Sequence, residues 1–207
     1  MPEKNLIVYF VKQPEAGKVK TRLANTIGAE EAAKVYRELA LKNFNRLKSL
    51  SEVSNIAVFF DPPESLNFIS EWLRNADFYI AQEGQSLGDR LQNAFHFSFK
   101  KADRIIAVGS DTLALTKEIV HEAFRILENK DAVLGPADDG GYYLIGLTKL
   151  MPDLFENISW STEHVLRETK DMMNQLNVSY GELSKLSDLD EWPKENQREA
   201  LYELIRF

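Results

Sequence analysis

The stretch "DAVLGPADDGGYYLIGL", residues 131–147, contains two strand-like apolar runs with only "DDGG" between them. Parallel neighbouring strands need a crossover of a dozen or more residues, usually a helix, whereas antiparallel strands can be joined by a tight turn. The runs 131–137 and 142–147 are therefore predicted to form a hairpin or a sharp antiparallel return. A sheet that contains them should be mixed rather than wholly parallel.

Outside this stretch, strand-like runs alternate with helical patterns. Runs of β-branched and aromatic residues, typical of strands buried on both faces, cover 5–11, 55–60, 77–81, 104–109 and, with a weaker pattern, 178–183. Apolar residues at helical spacing indicate helices over 29–47, 87–99, 116–129, 162–176 and 195–207, with Thr116 as an N-cap. Without an internal repeat, linker or composition break, the alternation predicts one α/β domain over residues 1–207.

Composition excludes several classes of function. The chain has 207 residues and a formal net charge of −7, which opposes binding to nucleic acid or to an anionic membrane. It has no cysteine, so disulfides, thiolate nucleophiles and cysteine-based zinc sites are excluded. The apolar run near the N-terminus is too short to span a membrane and lacks a signal-peptide pattern, which predicts a cytoplasmic protein.

Three polar segments directly follow predicted strands: "KQPEAGKVKTR" at 12–22, "SDT" at 110–112 and "ADDGG" at 137–141. In open α/β sheets, ligands bind beyond the carboxyl ends of the strands. The coincidence of the three segments therefore indicates one ligand site.

The first of these segments could wrap a phosphate. Gly17 tolerates backbone angles that turn amide groups inward, while Lys18, Lys20 and Arg22 supply positive charge. A solvated loop before a helix is the alternative interpretation. Neither the P-loop pattern nor the dinucleotide-binding glycine pattern occurs in the chain.

Carboxylates dominate the other two segments. Asp111 follows a strongly apolar strand and is a natural ligand for Mg²⁺, although a turn or capping aspartate would look the same. Asp138, Asp139, Gly140 and Gly141 could line a ligand, or they could form only a hairpin turn.

Aromatic and imidazole side chains carry less information. Trp160 could form an aromatic wall of a pocket, or it could be a core residue ahead of an N-cap at Ser161 or Thr162. The histidines at 96, 121 and 164 fall in helical patterns, which favours packing or solvent exposure over catalysis.

Five segments together resemble a known family: "KQPEAGKVKTRLA", "QSLGDRLQNAF", "GSDTLAL", "GPADDGGYYLIGL" and "ISWSTEHV". Their order and spacing are similar to those of a bacterial glycosyltransferase family in the nucleotide-diphospho-sugar transferase superfamily, sometimes linked to arsenosugar biosynthesis. The resemblance covers about residues 5 to 190. It implies the GT-A type of fold, a three-layer α/β/α sandwich with a mixed, mostly parallel central sheet.

The resemblance also implies roles for individual residues. Lys20, Arg22, Asp111 and Asp139 would be catalytic, and Asp111 with Asp188 would hold Mg²⁺ or Mn²⁺; Asp190 is an alternative second ligand. The nucleotide would contact Gly17, Lys18, Lys20, Thr21, Arg22, Gly88, Ser110, Gly140 and Gly141.

Two positions depart from the family pattern. Leu113 stands where relatives usually have a proline, which affects the rigidity of the loop after Asp111. Glu191 replaces the threonine that usually follows "DLD", which weakens the assignment of the second metal ligand.

The implied function is a metal-dependent transferase that uses a nucleotide sugar and a small-molecule acceptor. The alternatives are a guanylyltransferase-like nucleotidyltransferase, which would take a nucleoside triphosphate and release pyrophosphate, and a nucleotide-binding protein without turnover. Asp138, Asp139, Glu83 and Asp188 are all candidates for the catalytic base. A homodimer is compatible with the sequence, which does not fix the oligomeric state.

Overall fold

A seven-stranded sheet forms the centre of the protein, in a computed structural model that describes residues 4–189. Its strands are β1 (Asn5–Lys12), β2 (Asn55–Asp61), β3 (Phe78–Ala81), β4 (Arg104–Gly109), β5 (Ala132–Pro136), β6 (Tyr142–Leu147) and β7 (Tyr180–Glu182). The α-helices are α1 (Thr21–Ile27), α2 (Ala29–Lys48), α3 (Leu66–Trp72), α4 (Leu87–Ser98), α5 (Lys117–Ile126) and α6 (Val165–Gln175). Short 3₁₀ turns cover Pro63–Ser65 and Pro152–Phe155.

The strand order is β3-β2-β1-β4-β6-β5-β7. β6 pairs antiparallel with both β4 and β5, while the other pairings are parallel. The predicted antiparallel return over 131–147 is therefore confirmed, and the sheet is mixed and mostly parallel. The physical reason is the short "DDGG" connection, which leaves no room for a crossover helix.

Helices cover both faces of the sheet, which gives three layers. Alternate residues of β1 point to opposite faces: Ile7, Tyr9 and Val11 enter one buried cluster, and Leu6 and Val8 enter the other. The first cluster includes residues of α2, α3 and α5, and the second includes residues of α4 and α6. Burial on both faces explains why the strands read as continuous apolar runs.

The observed helices differ from the helices predicted from the sequence more than the observed strands differ from the predicted strands. α1 and α3 were not predicted, because each has only seven residues and too few apolar positions to show a period. The helix predicted from residue 162 begins at Val165, and its first turn receives no side-chain cap, so an N-cap at Ser161 or Thr162 is wrong. Thr116 does cap α5, accepting a hydrogen bond from the Ile119 amide. The helix predicted over 195–207 lies outside the described residues.

The strand order places a ligand crevice between β1 and β4. The chain moves outward from β1 to β2 and β3, then returns to the other side of β1 as β4. Such a switch point leaves a gap at the carboxyl ends of the two strands, where ligands bind in open α/β sheets. None of the helices within residues 4–189 is long and apolar enough to cross a membrane.

Candidate active site

A cavity of about 660 Å³ opens at the carboxyl ends of β1 and β4. Its lining includes six of the residues that the sequence singled out: Lys18, Lys20, Thr21, Arg22, Ser110 and Asp111. The segment that follows β3 forms a further part of the wall. The strand-end rule pointed to this edge of the sheet, which is where the cavity lies.

The loop after β1 folds back on itself before α1 begins. Gly17 has a φ of 79°, in the left-handed region that glycine adopts without strain. Lys20 also lies in this region, and its carbonyl accepts the amide of Ala24, which starts α1. Lys18 is exposed and forms an ion pair with Glu15 at 2.9 Å; the hydrogen bond to Glu15 raises the pKa of Lys18.

Lys20 reaches across the crevice to Asp111. The Lys20 Nζ atom lies 2.7 Å from Asp111 Oδ2, although 91 residues separate the two in sequence. Only 6% of the Lys20 side chain is exposed, against 35% for Asp111. An ammonium group so withdrawn from water needs an anionic partner, and Asp111 supplies one. The pair brings together the predicted phosphate loop and the predicted metal-binding aspartate.

Asp188 lies beside Asp111 because two chain segments pair there. Thr112 and Asp188 form an isolated antiparallel bridge, and the Thr112 hydroxyl donates to Asp188 Oδ1 at 2.8 Å. The Leu113 amide donates to the Ser187 carbonyl at 3.3 Å, and the Leu189 amide donates to the Asp111 carbonyl at 3.1 Å. A proline at position 113 has no amide hydrogen and could not donate to the Ser187 carbonyl. With leucine at this position, that hydrogen bond holds the loop after Asp111.

The two carboxylates form an unfavourable like-charge pair. Burial, and then the negative charge of Asp111, raise the pKa of Asp188 to about 7, although the Thr112 hydrogen bond and Lys20 act in the opposite direction. Asp139 adds a smaller contribution that also raises this pKa. Two hard oxygen donors that repel each other in a partly buried place are chemically suited to a divalent cation.

A cation here would need substrate oxygens as well. Among residues 4–189, no three histidine or acidic side chains are grouped closely enough to hold a metal on their own. Mg²⁺ is usually held by one or two carboxylates together with substrate phosphates and water, and the Asp111 and Asp188 pair fits that mode. Asp190 lies outside the described residues.

The "DDGG" turn ties the segment before Asp188 to the sheet. Ser187 donates a hydrogen bond to Asp138 Oδ2, and Lys185 pairs with Asp138 Oδ1 at 3.1 Å. These contacts lower the pKa of Asp138, with the Ser187 hydrogen bond as the largest cause. Asp139 is exposed and accepts the Gly141 amide at 2.8 Å. Asp138 is thus engaged by two side chains, whereas Asp139 accepts a main-chain amide.

Glycines in the site region allow close packing. Gly140 has a φ of 87°, and a Cβ there would lie 2.2 Å from the Glu163 carbonyl oxygen, so the turn fits tightly against the start of α6. Gly88 is buried, and a Cβ there would lie 2.4 Å from Trp160 Nε1. Trp160 therefore packs on α4, and its neighbour Ser161 lines the cavity. Nucleotide contacts by Gly17, Gly88, Gly140 and Gly141 stay predictions.

Sequence reasoning missed the wall after β3. The Gln82 amide nitrogen donates to the carbonyls of Val11 and Phe59, and its oxygen accepts from Arg90 at 3.2 Å. Gln82 and Arg90 line the cavity and link β3, β1 and α4. The same strand-end rule could have found them, because Gln82 directly follows β3.

Two further side chains were missed on α2. The Lys12 amide donates to the Tyr36 hydroxyl at 2.9 Å, and that hydroxyl also shares a 2.9 Å hydrogen bond with Ser110 Oγ. Burial raises the pKa of Tyr36 to about 12, so the phenol stays neutral. Asn43 donates to the main chain around Asp111.

Within residues 4–189, the lining of the cavity does not include several of the candidates: Gly17, Glu83, Gly88, Asp138, Asp139, Gly140, Gly141 and Asp188. The histidines at 96, 121 and 164 are exposed, which is one of the two alternatives that the sequence favoured. Glu83 is also exposed, and its main-chain carbonyl accepts a hydrogen bond from Asn93.

The mixed sheet and its crevice are those of the nucleotide-diphospho-sugar transferase fold. A crystal structure described as a "putative nucleotide-diphospho-sugar transferase" from Desulfovibrio desulfuricans is 32% identical, with a TM-score of 0.89 over 99% of this chain and 94% of that one. Residues 47–162 match the family described as "Uncharacterized protein conserved in bacteria (DUF2064)". The chain belongs to this bacterial family, which confirms the resemblance inferred from its motifs.

More distant structures share the fold alone. The synthetase for CMP-linked 2-keto-3-deoxy-manno-octonic acid, solved with CTP, aligns with a TM-score of 0.60 and 11% identity over 98% of both chains. The Mycobacterium tuberculosis protein Rv0371c, solved with manganese, has a TM-score of 0.56 and 11% identity over 97% of this chain and 99% of that one. No curated protein sequence matches this chain.

Proposed function

We propose that the protein is a metal-dependent transferase that uses a nucleotide-activated donor, with a nucleotide sugar as the leading candidate. The observation that carries this proposal is the ion pair between Lys20 and Asp111 at the switch point, inside a cavity large enough for a nucleotide. It combines a cation for phosphates with a carboxylate for a metal. The family relative from Desulfovibrio supports the same donor class.

The loop after β1 would bind the donor's phosphates. Lys18, Lys20 and Arg22 line one side of the cavity and carry three positive charges. Transfer from a nucleotide sugar breaks the bond between the sugar and the diphosphate, which leaves with the electron pair. Fixed cations directed at the growing charge on that diphosphate lower the barrier. Thr21 and Ser110 would add hydroxyl contacts.

Mg²⁺ or Mn²⁺ would be held by Asp111 and Asp188. A divalent cation held by these carboxylates would supply further positive charge to the leaving diphosphate. When donor phosphates enter, the Lys20 ammonium can exchange its carboxylate partner for a phosphate oxygen. Manganese in the Mycobacterium relative supports a metal on this fold.

Asp139 is the side chain that we assign to take the acceptor's proton. The acceptor oxygen would bond to the sugar carbon as the carbon–diphosphate bond breaks, and its hydroxyl proton would pass to a carboxylate. Asp138 is already engaged with Ser187 and Lys185, and Asp188 is assigned to the metal. Asp139 is exposed, and its charge contributes to raising the pKa of Asp188.

A nucleotidyltransferase is the second candidate. The synthetase solved with CTP has the same fold, so the site could bind a nucleoside triphosphate. The acceptor would then attack the α-phosphorus, and pyrophosphate would leave. Fold cannot choose between the two reactions, but pyrophosphate release distinguishes them directly. A nucleotide-binding protein without turnover would release neither product.

The decisive experiment is a thermal-shift screen. UDP-, GDP-, ADP-, CDP- and dTDP-sugars and the matching triphosphates would each be tested with and without Mn²⁺. A ligand at about 100 times its Kd should add about 2.7 kcal/mol, enough to raise Tm by a few degrees. We expect at least one nucleotide to stabilise the protein only when metal is present, and Asp111→Asn to abolish that shift.

Asp103→Asn is the matched control. Asp103 precedes β4, whereas Asp111 follows it, so the same charge change is made at the opposite end of one strand. The control should keep the metal-dependent shift. Equal shifts with and without metal would favour the protein without turnover, and retention of the metal-dependent shift in Asp111→Asn would contradict the proposed site.

A further inference from the structure

Asn43 occupies a position on α2 that the helix pattern reserves for an apolar residue. The inward stripe of α2 contains Tyr36, Leu39, Ala40 and Leu47, and Asn43 continues it at helical spacing. Asn43 is 0% exposed. A buried amide costs free energy unless its polar atoms are paired, so the partners of Asn43 are informative.

Those partners are the two carbonyls that flank Asp111. Asn43 Nδ2 donates to the carbonyl of Thr112 at 2.9 Å and to that of Ser110 at 3.3 Å. Arg46 donates to Asn43 Oδ1 at 3.2 Å and to the Leu115 carbonyl at 3.0 Å. One side chain therefore holds the main chain on both sides of the aspartate, and its own oxygen is held in turn.

The same face of α2 also forms a hydrogen bond to the end of β1, on the other side of the crevice. Tyr36 lies seven residues before Asn43, which is about two helical turns, so both side chains point the same way. The Tyr36 hydroxyl accepts the Lys12 amide and meets the Ser110 hydroxyl. α2 thus connects the end of β1 with the end of β4, although it follows only β1 in the chain.

We propose that Asn43 is a positioning residue that holds the Ser110–Thr112 loop so that Asp111 and Asp188 can bind a divalent cation together. The Leu189 amide bonds to the Asp111 carbonyl, and the Leu113 amide bonds to the Ser187 carbonyl, so movement of this loop would separate the two carboxylates. Asn43 itself touches neither metal nor donor. The inference rests on the proposed function, because it assumes that these carboxylates bind a cation.

Asn43→Leu tests the proposal with little change in side-chain size. It leaves the Ser110 and Thr112 carbonyls without their donor, whereas Asn43→Ser retains a single hydroxyl donor if the leucine variant folds poorly. Leu47→Ala on the same helix is the control, because it creates a core cavity and leaves in place the hydrogen bonds from Asn43 to the Ser110 and Thr112 carbonyls. All variants would be compared at a temperature where each is folded.

Two measurements are made on the same proteins. Electron paramagnetic resonance of free Mn²⁺ gives metal affinity, and hydrogen exchange of the Leu113 and Leu189 amides, in metal-free protein, reports opening of the loop. For Asn43→Leu we expect Mn²⁺ affinity to fall on the order of tenfold, and both amides to lose protection beyond any global loss. Leu47→Ala should keep Mn²⁺ affinity within about twofold, well inside the tenfold change that corresponds to 1.4 kcal/mol.

The outcomes separate this inference from the proposed function. If the wild-type protein binds Mn²⁺ and Asn43→Leu binds it equally well with both amides still protected, the positioning role is wrong while the metal site stands. If the wild-type protein binds no Mn²⁺, with or without nucleotide, the proposed function and this inference both fall. Equal losses in Asn43→Leu and Leu47→Ala would show a general stability effect and overturn the positioning role.

Discussion

The Lys20 ammonium group contacts the Asp111 carboxylate at the position where a metal ion held by that carboxylate would bind. This ammonium group lies 2.7 Å from Asp111 and is largely withdrawn from solvent. The ion pair offsets the negative charge of Asp111 when no donor is bound, and it would compete with a metal ion for the same oxygen. Lys20 should therefore oppose metal binding by itself and favour donor binding.

Lys20→Met should separate these two effects. With the competing cation removed, Mn²⁺ affinity without nucleotide should rise on the order of tenfold, equivalent to about 1.4 kcal/mol. Donor transfer should fall on the order of 10²-fold, as is typical when one charged contact to the leaving group is lost. Mn²⁺ titration by electron paramagnetic resonance and a product assay with the donor found by the thermal-shift screen would measure both.

Lys18→Met is the matched control for this change. Lys18 carries the same charge in the same loop, but it is exposed and pairs with Glu15 rather than with Asp111. Its replacement should leave Mn²⁺ affinity nearly unchanged, because exposed ion pairs contribute little. An unchanged Mn²⁺ affinity in Lys20→Met as well would show that the ion pair does not compete with metal.

Charged residues beyond the ends of strands were predictable from the sequence, whereas the buried side chain that holds their loop was not. Asp111 lies two residues after β4, and Lys20 lies in the polar segment that follows β1, so the strand-end rule finds both. Asn43 is one polar residue in an apolar helical stripe, and nothing in the sequence indicates which carbonyls it meets. Its partners come from a loop 67 to 69 residues away, a pairing that only the tertiary fold creates.

At the scale of elements, Asp131 adds side-chain hydrogen bonds next to the pairing of β7 with the sheet. The strand has only three residues and pairs with β5 at the sheet edge. Asp131 Oδ2 accepts the Ser179 hydroxyl at 2.7 Å and the Ser179 amide at 3.0 Å, while Lys149 Nζ lies 3.1 Å from Oδ1. The Ser179 hydroxyl contact is the main cause that lowers the pKa of Asp131.

Asp131→Asn should reduce stability in a pH-dependent way. The carboxyl group has a lower pKa in the folded state than its usual value of 3.8, so its contribution is fully present above that value and is lost as pH falls through the folded-state pKa. We expect the substitution to cost about 1 kcal/mol at pH 7, because hydrogen bonds to a charged group are weakened to neutral ones. The difference should shrink as the pH falls below that usual value of 3.8.

Urea unfolding at several pH values measures this effect. Lys149→Met serves as the comparison, because it removes the exposed ion pair and leaves both Ser179 contacts in place. Its cost should be the smaller of the two at neutral pH. Equal stability of wild type and Asp131→Asn across the whole range would show that the carboxylate does not fasten β7.

At the scale of the whole molecule, the sequence predicted the individual strands better than it predicted their order in the sheet or the cavity wall after β3. Seven predicted strands match the observed seven within a few residues, because strands buried on both faces carry an uninterrupted apolar signal. The "DDGG" connection even fixed the direction of β6. The strand order and the wall after β3 depend on pairings between distant segments, which no local pattern contains.

We expect the protein to unfold cooperatively as a single domain, because two apolar clusters share one sheet. The strands β1, β2, β4 and β6 each contribute residues to both clusters, so loss of packing on one face should disrupt the sheet that supports the other. Trp72 lies in one cluster and Trp160 packs against the other. The fluorescence of each tryptophan therefore reports on a different face of the same sheet.

Two variants isolate these fluorophores among the three tryptophans of the chain. Trp160→Phe with Trp192→Phe leaves Trp72, and Trp72→Phe with Trp192→Phe leaves Trp160. Each variant's fluorescence midpoint in urea should coincide with the midpoint of its own far-ultraviolet circular dichroism, since the comparison within one protein cancels the stability cost of the substitutions. If the Trp160 signal changed before the secondary structure was lost, α4 and α6 would form a separately unfolding layer. The crevice wall that Trp160 supports could then open without unfolding β1 and β4, and the site would no longer be rigid on both sides.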